Sequence, residues 1–255
     1  MKYIYILSVI FLFVFFLLYK KTDKKICFWS AIIYSLALLV CYNTFIVYIA
    51  YLLKLDGSLL LYSIINFVVG SILLVLTFIR KKGIQKYSFD KRKLIVILLV
   101  GLIVFLVGFF RFRGFNEISY ESGDSAVHYR HALVFSEELT ILDESNSRDY
   151  VFNKFVRVLP ISYINCGFLF NLLSGFKTYI VFSIYNVLFL VLSALVFFIT
   201  IIDIFKYNKK DYIYGLILTI FYILAFPLNN FIMGFCYFGI SIMVINLLYL
   251  TIYHF

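Results

Sequence analysis

Long apolar stretches alternate with short polar, mostly basic segments along most of the chain. A helix that crosses a bilayer needs about 20 mostly apolar residues, and seven stretches come close to that length. They are Tyr3–Tyr19, Phe28–Leu53, Leu59–Ile79, Leu94–Phe110, Tyr179–Phe205, Tyr212–Leu228 and Phe235–His254. A backbone in lipid must satisfy its own hydrogen bonds, and no alternating barrel pattern is visible. The pattern therefore predicts an all-α, polytopic transmembrane bundle of about seven spans.

The fourth and fifth spans are separated by a long region that holds most of the polar residues. It divides the chain into four N-terminal spans in residues 1–110, a loop subdomain in residues 111–177 and three C-terminal spans in residues 178–255. Because apolar residues occur throughout this loop, we expect it to fold on the membrane surface as amphipathic and interfacial helices. Segment 160–176 is apolar but short, and we interpret it as an interfacial or re-entrant helix.

The composition excludes a soluble globular domain. Hydrophobic residues make up 64% of the 255 residues, charged residues make up 14%, and the mean hydropathy is +1.01. Soluble domains hold roughly 45–50% apolar and about 25% charged residues, so the excess apolar surface here must face lipid. The first span, Tyr3–Tyr19, exceeds a usual signal-peptide core and lacks a small-residue cleavage site. We expect it to be a retained helix.

The net charge of +10 reflects membrane topology rather than nucleic-acid binding. Segments 20–25, 80–93 and 206–210 hold 14 of the 23 cations, with four acids in or beside them. The positive-inside rule makes this side cytoplasmic and places the N-terminus and loop 111–177 outside. An eighth span at 160–176 would put segment 206–210 outside, against the rule. Abundant Phe, Tyr, Ile, Asn and Lys suggest an AT-rich bacterial genome, hence a bacterial cytoplasmic membrane.

Buried chemistry is sparse within the predicted spans. The four cysteines form no CxxC pair, so we predict neither a disulfide nor a zinc site. Asp203 is expected at the cytoplasmic interface, and the few buried charges argue against ion-coupled transport. Four asparagines are predicted to form interhelical hydrogen bonds: Asn43, Asn66, Asn186 and Asn246. The apolar C-terminus indicates either that the last helix ends at the cytoplasmic face or that the chain is truncated.

Asp124 begins the best candidate for a functional segment. Ser122-Gly-Asp-Ser precedes an apolar-periodic run over residues 126–139, so Asp124 can cap a helix whose face also carries His128 and His131. Tyr129 and Leu133 fall on a different face. Three interpretations remain open: a helix cap beside interfacial histidines, an Asp-x3-His-x2-His metal site, or a catalytic base at the outer surface. The metal site is the weakest of the three, and we predict no metal-binding residues.

Arginines flank this segment where lipid-linked phosphates would lie. Arg111 and Arg113 stand where the fourth span leaves the membrane, and Arg157 precedes the interfacial segment. Guanidinium groups bind phosphates bidentately, although an interfacial arginine can also simply reach lipid headgroups. Arg111, Arg113 and Arg157, with His128 and His131, are the predicted substrate-binding residues.

The segment GDSAVHYRHALVF at 123–135, following a span, resembles the first outer loop of the GT-C class of integral membrane glycosyltransferases. That resemblance implies a polyprenyl-phosphate-linked sugar as substrate, and Asp124 as the catalytic acidic residue of the loop. Many members carry an Asp-Glu or Asp-Asp pair where this chain has Asp124-Ser125, and in the family the loop usually follows the first span.

The expected function is therefore glycosyl transfer at the outer face, in cell-envelope polysaccharide or glycolipid synthesis. The expected partners are a polyprenyl-phosphate-linked sugar and membrane lipid, with no nucleic acid; the sequence specifies neither a cofactor nor an oligomeric state. Two alternatives stay open. One is a polysaccharide repeat-unit polymerase, and the other is a non-enzymatic scaffold or flippase-like subunit that binds lipid-linked glycan.

Overall fold

The computed structural model describes residues 2–19, 25–53, 59–79, 84–114, 129, 132–133, 169–170, 173–204, 211–225 and 243–249. Its elements, in chain order, are α1 (Lys2–Leu18), β1 (Ile26–Cys27), α2 (Phe28–Leu52), α3 (Leu59–Ile79), β2 (Tyr87–Ser88), α4 (Lys91–Phe112), α5 (Thr178–Ile204) and α6 (Asp211–Ala225). Residues 129, 132–133, 169–170 and 243–249 are also helical. The described chain is thus all-α apart from two very short strands.

Three helices within the described residues are long and apolar enough to cross a membrane: Leu60–Ile79, Lys91–Phe112 and Thr178–Asp203. Tyr3–Leu18, Phe28–Asn43 and Tyr212–Leu224 are shorter apolar helical stretches. These helices confirm an all-α architecture that includes three helices able, by length and composition, to cross a membrane. The count of seven spans stays a prediction, and the last predicted span is described only over residues 243–249.

Helix α5 is the centre of the bundle. It packs against α2, α4 and α6, whereas α1 packs mainly against α3 and also contacts α2. In the most apolar stretch of α5, 61% is buried within the protein, compared with 28% in the corresponding stretches of α3 and α4. The outward faces of α3 and α4 stay apolar, as at Ile72 and Leu98, which are 53% and 61% exposed. An apolar outward face of this kind is suited to lipid, not to water.

Three glycines allow close approach between paired helices. A Cβ added at Gly70 of α3 would lie 3.2 Å from Phe11 Cβ of α1, and one at Gly108 of α4 would lie 3.0 Å from Val187 Cγ1 of α5. A Cβ at Gly215 of α6 would lie 3.2 Å from Phe198 Cε2 of α5. Small residues at contacts are typical of membrane helices, where packing rather than hydrophobicity drives association.

The segments that precede α2 and α4 are joined at one end of the bundle. Strands β1 and β2 pair in parallel with Ile26 opposite Tyr87, and the Ile26 N–H donates to the Lys86 carbonyl at 3.1 Å. Tyr19 and Ile84 form an antiparallel bridge nearby. The sequence pattern gave no indication of these strands, because two-residue strands are too short for a period-2 signal.

Helix α4 begins three residues before the predicted boundary at Leu94. The Asp90 Oδ1 accepts hydrogen bonds from the backbone N–H groups of Arg92 and Lys93 at 2.9 and 3.2 Å. An aspartate at this position satisfies N–H groups that lack partners within the helix. The helix therefore includes three charged residues, Lys91 to Lys93, that a boundary set by hydropathy excludes.

Two of the four cysteines are described, and both Cys27 and Cys41 are free thiols. Cys166 and Cys236 lie outside the described residues. The same holds for most of segment 160–176, so its interfacial placement stays a prediction.

Candidate functional site

The C-terminal end of α4 brings together two of the predicted substrate-binding arginines. Arg111 lies in the last turn and Arg113 is the C-cap, with its backbone N–H donating to the Phe109 carbonyl at 2.8 Å. Both side chains are exposed. The guanidinium carbon of Arg113 lies 5.3 Å from the centre of the Phe110 ring. A helix C-terminus carries a partial negative charge, so two cations are favourable here.

A shallow apolar groove, open to the surroundings, lies on one face of α4 and reaches Arg111. It has a volume of about 520 Å³ and is lined by Ile103, Leu106, Val107, Phe110 and Arg111. Four apolar side chains and one terminal guanidinium give the groove a hydrocarbon-like wall and a cationic end. Because Phe110 is both a wall of the groove and the ring beneath Arg113, the second arginine is held beside the same end.

Helices α4 and α5 are antiparallel, which fixes where the groove ends. Lys93 contacts Asp203, whereas Gly108 lies against Val187 and Leu190. The arginine end of α4 is therefore level with the start of α5. It is opposite the end where β1 pairs with β2.

Described residues of the predicted loop subdomain pack at this same arginine end. Tyr129 is 6% exposed and Ala132 is fully buried, and Leu133 packs against the same core. The Tyr129 ring meets Phe170 and Phe182 edge-on at 6.2 and 5.3 Å, and its hydroxyl is hydrogen-bonded to Thr178 at the start of α5. Tyr129 and Leu133, which the helical period places on one face, therefore both pack against the bundle.

The other predicted site residues lie outside the described residues. These are Asp124, His128, His131 and Arg157. The described parts of the chain hold no group of three or more His, Cys, Asp or Glu side chains placed to bind a metal ion. Within the described residues, the predicted site is therefore represented by Arg111 and Arg113, which lie at the same end of α4.

An ion pair that sequence reasoning missed lies at the opposite end of α4. Lys93 Nζ lies 2.7 Å from Asp203 Oδ1, with the two side chains 2% and 13% exposed. The Tyr34 hydroxyl of α2 donates to Asp203 Oδ2 at 2.8 Å. Both carboxylate oxygens are therefore occupied, and the three side chains join α2, α4 and α5. The sequence does carry a signal for this pair. A lysine lies just before the fourth predicted span and an aspartate lies near the end of the fifth, and these two ends are predicted on the same side of the membrane.

Comparison with protein-family models, with curated proteins and with solved structures finds no match for this chain.

Proposed function

We propose that this protein is a polytopic integral membrane glycosyltransferase, with the seven predicted spans, that acts on a polyprenyl-phosphate-linked sugar. The reaction takes place at the outer face of the bacterial cytoplasmic membrane and serves cell-envelope polysaccharide or glycolipid synthesis. The observation that carries the proposal is the apolar groove on α4 that ends at Arg111.

The shape and chemistry of the groove suit an isoprenoid phosphate. The isoprenoid chain can pack against Leu106 and Val107, because it replaces membrane lipid at this surface and both are hydrocarbon. A phosphate at the end of that chain meets Arg111, which can donate two parallel hydrogen bonds to its oxygens. Arg113, supported by Phe110, adds a second positive charge at the same depth.

The proposed chemistry is transfer of the sugar to an acceptor hydroxyl. The Asp124 carboxylate takes the hydroxyl proton as the oxygen attacks the anomeric carbon, and the bond from that carbon to the phosphate oxygen breaks. The leaving polyprenyl phosphate keeps the electron pair, and its added charge is stabilised by Arg111 and Arg113. His128, His131 and Arg157 are proposed to contact the same substrate. Support comes from Tyr129 and Ala132, which pack at the arginine end within eight residues of Asp124.

Binding and chemistry are tested separately. For binding, Arg111→Ala should weaken the association of the purified protein with a polyprenyl phosphate about 10- to 100-fold, because a charge-assisted hydrogen bond contributes roughly 1.5–3 kcal/mol. Lys177→Ala is the matched control, since Lys177 is an exposed cation just before α5 that does not line the groove. Equal effects of the two substitutions would refute the assignment of the phosphate to Arg111.

For chemistry, Asp124→Asn should lower sugar transfer in membranes roughly a hundredfold or more while leaving polyprenyl phosphate binding unchanged. Asparagine can still cap the helix, so a structural role alone predicts unchanged turnover. Product length then separates a transferase from a polymerase, because a polymerase yields a ladder of products. Binding without any transfer by the unmodified protein would favour the scaffold or flippase-like alternative.

A further inference from the structure

The parallel pairing of β1 and β2 brings together two lysines from distant parts of the chain. Because Ile26 is opposite Tyr87, the preceding residues Lys25 and Lys86 are neighbours across the pair. Both are exposed. These lysines are 61 positions apart in the chain, so the fold brings them together. The positive-inside rule does not require this proximity, because each lysine satisfies the rule by itself.

The charge of this surface is strongly positive. Lys25, Lys86, Lys91 and Arg92 are all exposed. The one carboxylate described among them, Asp90, already accepts two backbone N–H groups as the cap of α4. Lys93, the next cation along, is buried against Asp203 and does not contribute to the surface. Apart from the Lys93–Asp203 pair, the surface formed by residue 25 and residues 86–92 therefore carries four exposed cations and one carboxylate, that of Asp90.

Aromatic rings lie directly beside these cations. Phe28 is central: its ring centre lies 5.2 Å from that of Trp29, 5.5 Å from Tyr87 and 5.1 Å from Phe89. Phe89 is 72% exposed. The Tyr87 hydroxyl donates to the Leu17 carbonyl, and burial raises the pKa of this phenol. This cluster of four rings is therefore anchored to α1 and α2 on one side and open on the other.

We propose that this surface, formed by Lys25, Lys86, Lys91 and Arg92 around the four rings, binds the headgroups of anionic phospholipids. Aromatic rings concentrate at the headgroup level of membranes, and juxtamembrane cations attract anionic lipid. The surface adjoins lipid-facing helix: Ile95, one turn into α4, is 56% exposed. An occupant must thus present a negative group at headgroup depth and hydrocarbon immediately below it, which a phospholipid does and a soluble polyanion does not.

Trp29 reports on this surface, because it is the single tryptophan of the chain. The full-length protein is reconstituted in phosphatidylcholine vesicles that contain phosphatidylglycerol, with bromine on the acyl chains of one lipid or the other. Brominated phosphatidylglycerol should quench Trp29 fluorescence more than brominated phosphatidylcholine at equal mole fraction. Lys25→Gln with Lys86→Gln should remove most of the preference, at roughly fivefold in relative affinity for each cation.

Lys177→Gln is the matched control, since Lys177 is an exposed cation at the opposite end of the bundle. It should leave the preference unchanged, and Lys25→Arg with Lys86→Arg should retain it. High salt should weaken the preference, as expected for exposed charges. Equal quenching by the two lipids would overturn the proposal, as would a preference that survives the double glutamine variant.

Discussion

Lys93 is a long cationic side chain held almost entirely away from solvent, so a close counter-ion is needed to stabilise its charge. Asp203 meets it at 2.7 Å, and the Tyr34 hydroxyl occupies the second carboxylate oxygen. Removing two charges from water is unfavourable, and their attraction offsets this only with good geometry and full hydrogen bonding. The arrangement joins three helices at one point, and loss of either charged side chain removes the close counter-ion of the other.

Lys93→Met should therefore lower the free energy of unfolding by about 3 kcal/mol, because Asp203 loses its counter-ion in a largely buried position. The double variant Lys93→Met with Asp203→Asn should recover much of that loss, since neither charge then remains. Reversible unfolding of the purified protein in detergent micelles measures both. Lys91→Met, in which an exposed neighbour is changed, should have little effect, and a loss as large as that of Lys93→Met would contradict the ion-pair account.

Prediction from sequence succeeded for some single residues and failed for others, according to where the partner lies. Asn43 accepts from the Tyr62 hydroxyl at 2.9 Å and Asn66 accepts from Tyr42 at 3.1 Å, which confirms two predicted interhelical bonds. Asn186 instead donates to the Phe182 carbonyl of its own helix at 3.0 Å. Its Oδ1 has no hydrogen-bond partner within the described residues. A sequence shows that an asparagine lies in an apolar helix but not which neighbouring helix it faces.

Helix α4 turns different faces to protein and to lipid although it is apolar all round. Ile97, Val100, Val104 and Gly108 are buried at helical spacing towards α5. Hydropathy alone predicted the existence of this helix to within a few residues at each end. It could not predict the buried face, because lipid and protein interior are equally apolar and the sequence carries no amphipathic contrast. The positions of small residues are the better indicator of the packed side.

Gly108→Ala and Gly101→Ala form a matched pair on this helix. A Cβ at Gly101 would lie 3.7 Å from the nearest atom of Leu195, an ordinary contact, whereas at Gly108 it would lie 3.0 Å from Val187 Cγ1. Gly101→Ala should be neutral or stabilising by up to about 1 kcal/mol through helix propensity. Gly108→Ala should be less stable than Gly101→Ala by about 1–3 kcal/mol, because Val187 is β-branched and buried. Unfolding midpoints in detergent test this, and equal midpoints would show that α4 and α5 can separate freely at Gly108.

At the scale of the whole molecule, the ends of the helices sort into two groups. The start of α2, the start of α4 and the end of α5 meet through Tyr34, Lys93 and Asp203, and β1 pairs with β2 at the same end. Arg111 and Tyr129 lie at the other end. Charge counting along the sequence predicted that segments 20–25, 80–93 and 206–210 share one side of a membrane. The contacts that join the described helix ends, namely the Lys93–Asp203 pair, the Tyr34–Asp203 hydrogen bond and the pairing of β1 with β2, are long-range, so spacing along the chain could not predict them.

This arrangement makes sidedness testable with two single cysteines in a background that lacks the four native ones. In intact cells, an impermeant thiol reagent should label a cysteine at Asn146→Cys, in the predicted outer loop, and should not label one at Lys86→Cys beside β2. After the cells are broken open, both should react, because Lys86 is exposed and the loop is polar. The reverse pattern would place the basic end outside and would remove the outer-face sugar transfer. Labelling of both cysteines in intact cells would contradict a membrane between the two ends, and with it the assignment of α4 as a spanning helix.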